Sequence, residues 1–137
     1  MKRLIAAMLA VMFFAGSSFA EAMKIIVAVN GKNLYATLED NPASRAMYEK
    51  MPFTVKMKNL YGRELCFNLP FALPEGRQTA TNYEVGDIIY WPPRHSFIIL
   101  YKQNGERFRR QHLGHIEAGV EMFSTAEDID VTFVPAE

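Results

Sequence analysis

Short runs of β-branched and aromatic residues, separated by turn residues, dominate the hydrophobic pattern of this 137-residue chain. Two such runs, residues 88–91 and 97–101, do not alternate between apolar and polar positions, which predicts strands that are buried on both faces. Pro92 and Pro93 follow the first run and cannot donate to a strand ladder, so this strand must end there. The pattern therefore predicts a hairpin at the centre of a β core.

Similar patterns predict about six further strands. Residues 53–58 alternate cleanly, as expected for a strand with one buried and one solvated face. Asn30-Gly31 is a strong signal for a tight hairpin turn, because both residues tolerate positive φ. The full set of predicted strands is 24–29, 34–38, 53–58, 63–69, 88–91, 97–101, 108–117 and 128–134.

One short helix is predicted near residue 42. Asp40 or Asn41 can cap it, Pro42 suits its first turn and Pro52 ends it. Eight strands joined largely by hairpins expose sheet edges, and closing the sheet on itself removes them. We therefore expect a mainly β fold, a closed eight-stranded barrel with one short helix at an end, and a β-sandwich is the alternative.

The N-terminal residues 1–22 have the pattern of a signal peptide: a basic start, an apolar run at 4–15 and small residues at the end. Two cleavage sites fit, after Ala20 and after Ala22. An uncleaved membrane anchor is the alternative, but the run is shorter than the roughly 20 residues that a membrane span needs. We expect a periplasmic or secreted protein with one domain at 23–137 and no membrane contact after cleavage.

Charge and cysteine content exclude several classes of partner and chemistry. The 15 basic and 15 acidic residues balance, which argues against nucleic acid as a partner. Cys66 is the single cysteine, so no intramolecular disulfide forms. No histidine or second cysteine lies near it in sequence to activate it, which favours an idle or structural thiol over a redox thiol.

The three histidines make a poor metal site by their spacing. His112 and His115 are three apart in a predicted strand, which puts them on opposite faces unless Gly114 forms a bulge. His95 lies far from both in sequence, and no cysteine or carboxylate cluster accompanies the three. We therefore expect no metal and no cofactor.

Several segments together resemble the small bacterial cyclophilin-like proteins, over about residues 24–134. The resemblance implies a closed eight-stranded barrel, in agreement with the strand count. The matching segments are the hairpin at Asn30-Gly31, the helix entry at Leu38, Asp40, Asn41, Pro42 and Ala43, the stretch Val85-Gly86-Asp87-Ile88 with Tyr90, the strand at 97–101, and Leu113-Gly114-His115-Ile116-Glu117 with Gly119.

The family name suggests the prolyl cis–trans isomerase activity of true cyclophilins, but the residues that carry it are missing. True cyclophilins have a Phe-His-Arg motif on a barrel strand, and no such triplet occurs here. The second strand after the helix instead reads Arg63-Glu64-Leu65-Cys66-Phe67-Asn68-Leu69, and the glycine-rich stretch with its glutamine is also absent. The resemblance thus implies the fold without the activity.

A ligand groove is the remaining functional prediction. The long loop at 70–83 precedes the central hairpin, and loops of this length are commonly functional. An aromatic wall, a cation and an imidazole near such a loop suit a small apolar or acidic ligand, or a peptide. The candidate ligand-binding residues are Tyr61, Phe71, Tyr90, Trp91, Arg94 and His95, and the loop could equally be a simple cover over the barrel mouth.

Three functions are compatible with this pattern. The first is an exported, non-catalytic module that binds a small molecule or peptide. The second is a divergent prolyl isomerase that uses Arg94, Arg63 or Arg77 to donate to the imide nitrogen. The third is a structural accessory protein without a pocket.

Overall fold

The computed structural model of the chain describes residues 23–136, and the predicted signal peptide at 1–22 lies outside them. Those residues contain eight strands and one α-helix. The strands are β1 Met23–Val29, β2 Lys32–Leu38, β3 Phe53–Leu60, β4 Glu64–Asn68, β5 Asp87–Trp91, β6 Ser96–Leu100, β7 Gln111–Ile116 and β8 Ile129–Pro135, and the helix, α1, is Pro42–Glu49.

The strands close into an antiparallel barrel in the order β1-β2-β7-β5-β6-β4-β3-β8. Closure depends on β8, which pairs with β1 on one side and with β3 on the other. The predicted fold class, a mainly β closed eight-stranded barrel with one short helix, is therefore confirmed.

Inward-facing side chains fill the barrel because side chains alternate between the two faces of a strand. Phe53, Phe97 and Phe133 meet in the interior with ring centroids 5.1 to 6.3 Å apart. Such tilted and edge-on contacts add to the apolar burial of each ring. Helix α1 covers part of this core with Ala43 and Met47, both of which are buried.

Strands β5 and β6 are buried on both faces, as their non-alternating sequences predict. Their outward-facing residues form a second apolar cluster, which is separate from the barrel interior. The segment at 102–110 covers this cluster through Phe108, whose ring lies 6.1 Å from that of Tyr83. The buried members of the cluster are Cys66, Tyr83, Ile89, Ile98 and Leu100.

Helix α1 begins as its sequence predicts. Asn41 has extended backbone angles and its side chain accepts a hydrogen bond of 2.8 Å from the Ser44 N–H. Pro42 occupies the first turn, where a missing N–H costs nothing. The Ser44 hydroxyl also donates to the Leu113 carbonyl at 2.8 Å, which ties the start of the helix to β7.

The predicted strand at 108–117 is too long at its start. Strand β7 begins only at Gln111, because the residues before it leave the sheet to cover the outer apolar cluster. Strand β7 also contains a bulge: its pairing with β5 shifts by one residue between Ile88 and Ile89. Within 23–136, no helix is long and apolar enough to cross a membrane.

Candidate functional site

Outward-facing side chains of β3, β4, β6 and β5 line a groove of about 530 Å³ on the side of the barrel. The strand register builds its floor. Lys58 on β3 lies opposite Cys66 on β4, which lies opposite Ile98 on β6. One step along the barrel axis, Ser96 lies opposite Trp91 on β5. Residues that are far apart in sequence thus form one continuous surface.

Aromatic side chains form the walls of this groove. Trp91, the only tryptophan of the chain, stands at one side, and Tyr61 and Phe108 stand at the other. Tyr61 is 76% exposed and has a positive φ of 60°, so the turn after β3 holds its ring out of the barrel. These aromatic side chains suit a ligand with a flat or apolar group.

A buried ion pair closes one end of the groove. Arg63 donates from Nε to Glu64 at 2.9 Å and from an Nη to the exposed Glu106 at 2.7 Å. Its guanidinium also lies 4.9 Å from the Phe108 ring and 5.3 Å from that of Tyr61. Burial raises the pKa of Glu64, although the hydrogen bond from Arg63 opposes this shift. The guanidinium of Arg63 is therefore already paired with the carboxylates of Glu64 and Glu106.

Cys66 lies in the floor of the groove but is not activated. It is a free thiol that is buried, and burial raises its pKa although a hydrogen bond from Ser96 opposes the shift. The thiolate is the nucleophilic form, so a raised pKa keeps this side chain inert.

Lys58 and Arg94 are two further cationic side chains that line the groove. The ion pairs formed within residues 23–136 include neither Lys58 nor Arg94. Arg94 is exposed, and only its backbone carbonyl is engaged, by the Asn68 amide at 3.0 Å. These two side chains give the groove a means of binding a negative charge.

The structure brings together three of the six predicted ligand-binding residues. Tyr61, Trp91 and Arg94 line the groove. Tyr90 instead points into the barrel, fully buried, where its hydroxyl accepts a hydrogen bond from the Leu73 N–H at 3.1 Å. Phe71 lies in a different, apolar groove beside α1.

His95, the last of the six, is absent from the groove lining and holds the turn after Pro92–Arg94 with a φ of 52°. Of the three arginines considered as donors, Arg77 lines a separate cavity near α1. The sequence did not single out Lys58, Leu60 or Ile98 as groove residues, because their proximity depends on the register of strands that are not consecutive.

The other two histidines, His112 and His115, come together on β7, which pairs with the edge of β5 that faces away from β6. Asp87 Oδ1 lies 2.9 Å from His115 Nδ1 and 3.4 Å from His112 Nε2. Burial opposes the charge on Asp87, but hydrogen bonds from both histidines and from the Glu84 N–H lower its pKa. The bulge in β7 makes this possible, since it turns both imidazoles to one face.

Comparisons with known proteins agree with the barrel. The model of the cyclophilin-like family matches residues 27–134. Among solved structures, the solution structure of a hypothetical protein from Archaeoglobus fulgidus superimposes with a TM-score of 0.63. It covers 84% of this chain and 95% of its own, at 16% sequence identity, so it supports the fold alone. No curated protein sequence matches the chain.

Proposed function

We propose, since this chain belongs to the cyclophilin-like family, that it is an exported binding protein without catalytic activity. Its ligand is a small molecule or peptide that joins an apolar or prolyl group to a negative charge. The groove on β3, β4, β6 and β5 is the binding site.

One observation carries this proposal: the groove combines aromatic and aliphatic side chains with two cations that form no ion pair within residues 23–136. Trp91 and Tyr61 offer rings for an apolar group, and Lys58 and Arg94 offer charge. A concavity that joins aromatic and apolar side chains to convergent polar groups is typical of a small-molecule site. A pocketless accessory protein would not need such a concavity, which favours binding over that alternative.

A divergent prolyl isomerase is less well supported. Such an enzyme needs a donor that strengthens its contact with the imide nitrogen in the transition state. Arg63 is tied to Glu64 and Glu106, and Arg77 lies outside the groove. Only Arg94 is left for this role, and its exposure leaves it well hydrated and a weak electrostatic catalyst.

The test uses the fluorescence of Trp91 during titration with a panel of Xaa-Pro peptides, in acidic, neutral and basic versions. We expect saturable changes that favour the acidic version and weaken with salt. Exchange NMR on the same samples reports cis–trans interconversion of the peptide. Shifts without enhanced exchange support a binding module, whereas enhanced exchange would replace it with the isomerase.

Matched variants assign the binding to the groove. Tyr61→Ala should weaken binding about fivefold to tenfold, as expected for an aromatic contact residue. Tyr35→Ala, which removes another exposed tyrosine, on β2, should have no effect. Arg94→Gln should selectively weaken the acidic peptide, and Arg107→Gln, at an exposed arginine outside the groove, should not. Equal effects in both members of either pair would remove the groove from the proposal.

A further inference from the structure

The bulge in β7 builds a cluster of chemistry-bearing side chains apart from the groove. Asp87 pairs with His115 across the strands, whereas Ile89 pairs with His112, so β7 has one residue more than β5 between these pairs. The extra residue lets two histidines that are three apart face the same side of the sheet. Both imidazoles therefore reach the same carboxylate of Asp87.

Three side chains of this cluster bring potential metal-ligand atoms close together. Glu84, Asp87 and His115 each place a nitrogen or oxygen ligand atom within 4.8 Å of the other two. His115 Nδ1 lies 2.9 Å from Asp87 Oδ1. Zinc bonds of about 2.0–2.2 Å at tetrahedral angles put two ligand atoms roughly 3.4 Å apart. Small side-chain adjustments would place all three on one ion.

Local backbone geometry supports this arrangement. Gly86 has a φ of 104°, and a Cβ there would lie 3.0 Å from His115 Cε1 and 2.6 Å from the Ile116 carbonyl oxygen. The lack of a side chain at Gly86 thus lets the imidazole lie against the turn that carries Glu84 and Asp87. On the other side, His112 connects Asp87 to Glu39, with 2.7 Å between His112 Nδ1 and a Glu39 carboxylate oxygen.

Within residues 23–136, the side chains that form ion pairs with Asp87 are the two histidines. The side chain of Asp87 is only 7% exposed, and no lysine or arginine within 23–136 forms an ion pair with it. Arg110, just before β7, donates instead to the carbonyls of Thr81 and Phe108. A buried carboxylate is costly unless positive charge compensates it, and at Asp87 either a protonated imidazole or a bound metal ion supplies that charge.

We propose that Glu84, Asp87 and His115 form a binding site for one divalent transition-metal ion, such as Zn²⁺. Two carboxylate oxygens and one imidazole nitrogen suit such an ion, and at least one coordination position faces solvent, because Glu84 is exposed. His112 acts as a positioning residue that fixes Asp87. The site joins the 84–86 turn, β5 and β7, so bound metal also stabilises the barrel by binding only the folded state.

The test is calorimetric titration of the full chain with Zn²⁺ after treatment with a chelator, together with Co²⁺ absorption spectroscopy. We expect saturable binding of one ion per chain, visible d–d bands with Co²⁺ and a higher Tm with Zn²⁺. Glu84→Gln and His115→Asn should each weaken binding more than tenfold. The first alters an exposed side chain, so loss of folding will not obscure the result.

Two control variants alter a histidine and a glutamate that lie outside the site. His95→Asn leaves a residue that tolerates positive φ, and Glu75→Gln alters another exposed glutamate. Both should bind Zn²⁺ like the unaltered chain. The proposal is overturned if the unaltered chain lacks one-to-one binding, if Glu84→Gln and His115→Asn bind normally, or if the controls weaken binding equally.

Discussion

At the scale of single residues, the most consequential pair is Arg63 and Glu64. Their side chains are 9% and 4% exposed, and they close one end of the groove. A buried ion pair is weak evidence for net stability, but removal of one partner leaves the other charge uncompensated. Glu106 also contacts Arg63 but is largely exposed, so it adds little to the desolvated pair.

We predict that Arg63→Met lowers the free energy of unfolding by about 3 kcal/mol at pH 8. Without the guanidinium, the folded-state pKa of Glu64 rises further above its unfolded value. The variant therefore keeps its stability below the unfolded-state pKa of Glu64 and loses it as pH rises through the folded-state pKa of Glu64. Urea unfolding at pH 5 and pH 8, followed by Trp91 fluorescence, measures this difference.

The double variant Arg63→Met/Glu64→Leu is the internal check, and we expect it to be more stable than Arg63→Met because no buried charge remains. Arg107→Met, at an exposed arginine, is the control and should change stability little. A loss for Arg63→Met that is the same at both pH values would contradict this account of Glu64.

At the scale of elements, the tight approach of β7 to β2 depends on Gly114. A Cβ at this position would lie 2.5 Å from the Thr37 carbonyl oxygen and 2.8 Å from Leu38 Cδ2. The first contact is with backbone, so rotation of a side chain cannot relieve it. The strands would have to separate at the pairing of Gly114 with Leu38.

We predict that Gly114→Ala destabilises the barrel by about 2–3 kcal/mol, as expected for overpacking against fixed atoms. Gly76→Ala is the matched control, because nothing lies within 4 Å of a Cβ there, and it should change stability by less than about 0.5 kcal/mol. Thermal unfolding of the two variants measures the contrast. Equal stability would mean that β7 can move away from β2 at little cost.

Elements were predictable where one local signal decides them. The run at 97–101, the Asn30-Gly31 turn and the cap at Asn41 each carry their own structural reason, and all three occur as expected. The start of the strand predicted at 108–117 was wrong, because residues 102–110 pack on a surface made by distant strands. Gly114 suggested a bulge in this strand, but whether a bulge forms depends on how β7 pairs with β5.

The groove was predictable to a similar extent. Of the predicted residues, Tyr61, Trp91 and Arg94 line the groove, and the hairpin corner that carries Trp91 and Arg94 is visible in the sequence. Tyr90 was misplaced in a surface groove because its inward direction follows from barrel closure. Cys66 and Ile98 become neighbours only through the pairing of β4 with β6, which no local pattern specifies.

At the scale of the whole molecule, the barrel is complete from Met23 onward. Strand β1, described from Met23 onward, pairs along its length with β2 and over part of it with β8. Removal of residues 1–20 or 1–22 would therefore leave every described strand intact.

We predict that the chain, when produced in a bacterial host with a periplasm, is recovered there with Glu21 or Met23 as its first residue. Intact mass spectrometry of the periplasmic fraction identifies this end. A chain that lacks residues 2–22 is the control and should stay in the cytoplasm with the same fold. Recovery of the uncleaved chain from membranes would instead support the anchor.

The pairing of β1 with β8 also means that the barrel does not depend on where its chain begins and ends. Ile25 lies opposite Pro135, and the Ala136 N–H donates to the Lys24 carbonyl, so the two ends of the barrel domain are neighbours. Residues 74–77, in the connection between β4 and β5, are exposed. A circular permutant that joins residue 136 to residue 23 and has its new termini within 74–77 should therefore keep every strand pair.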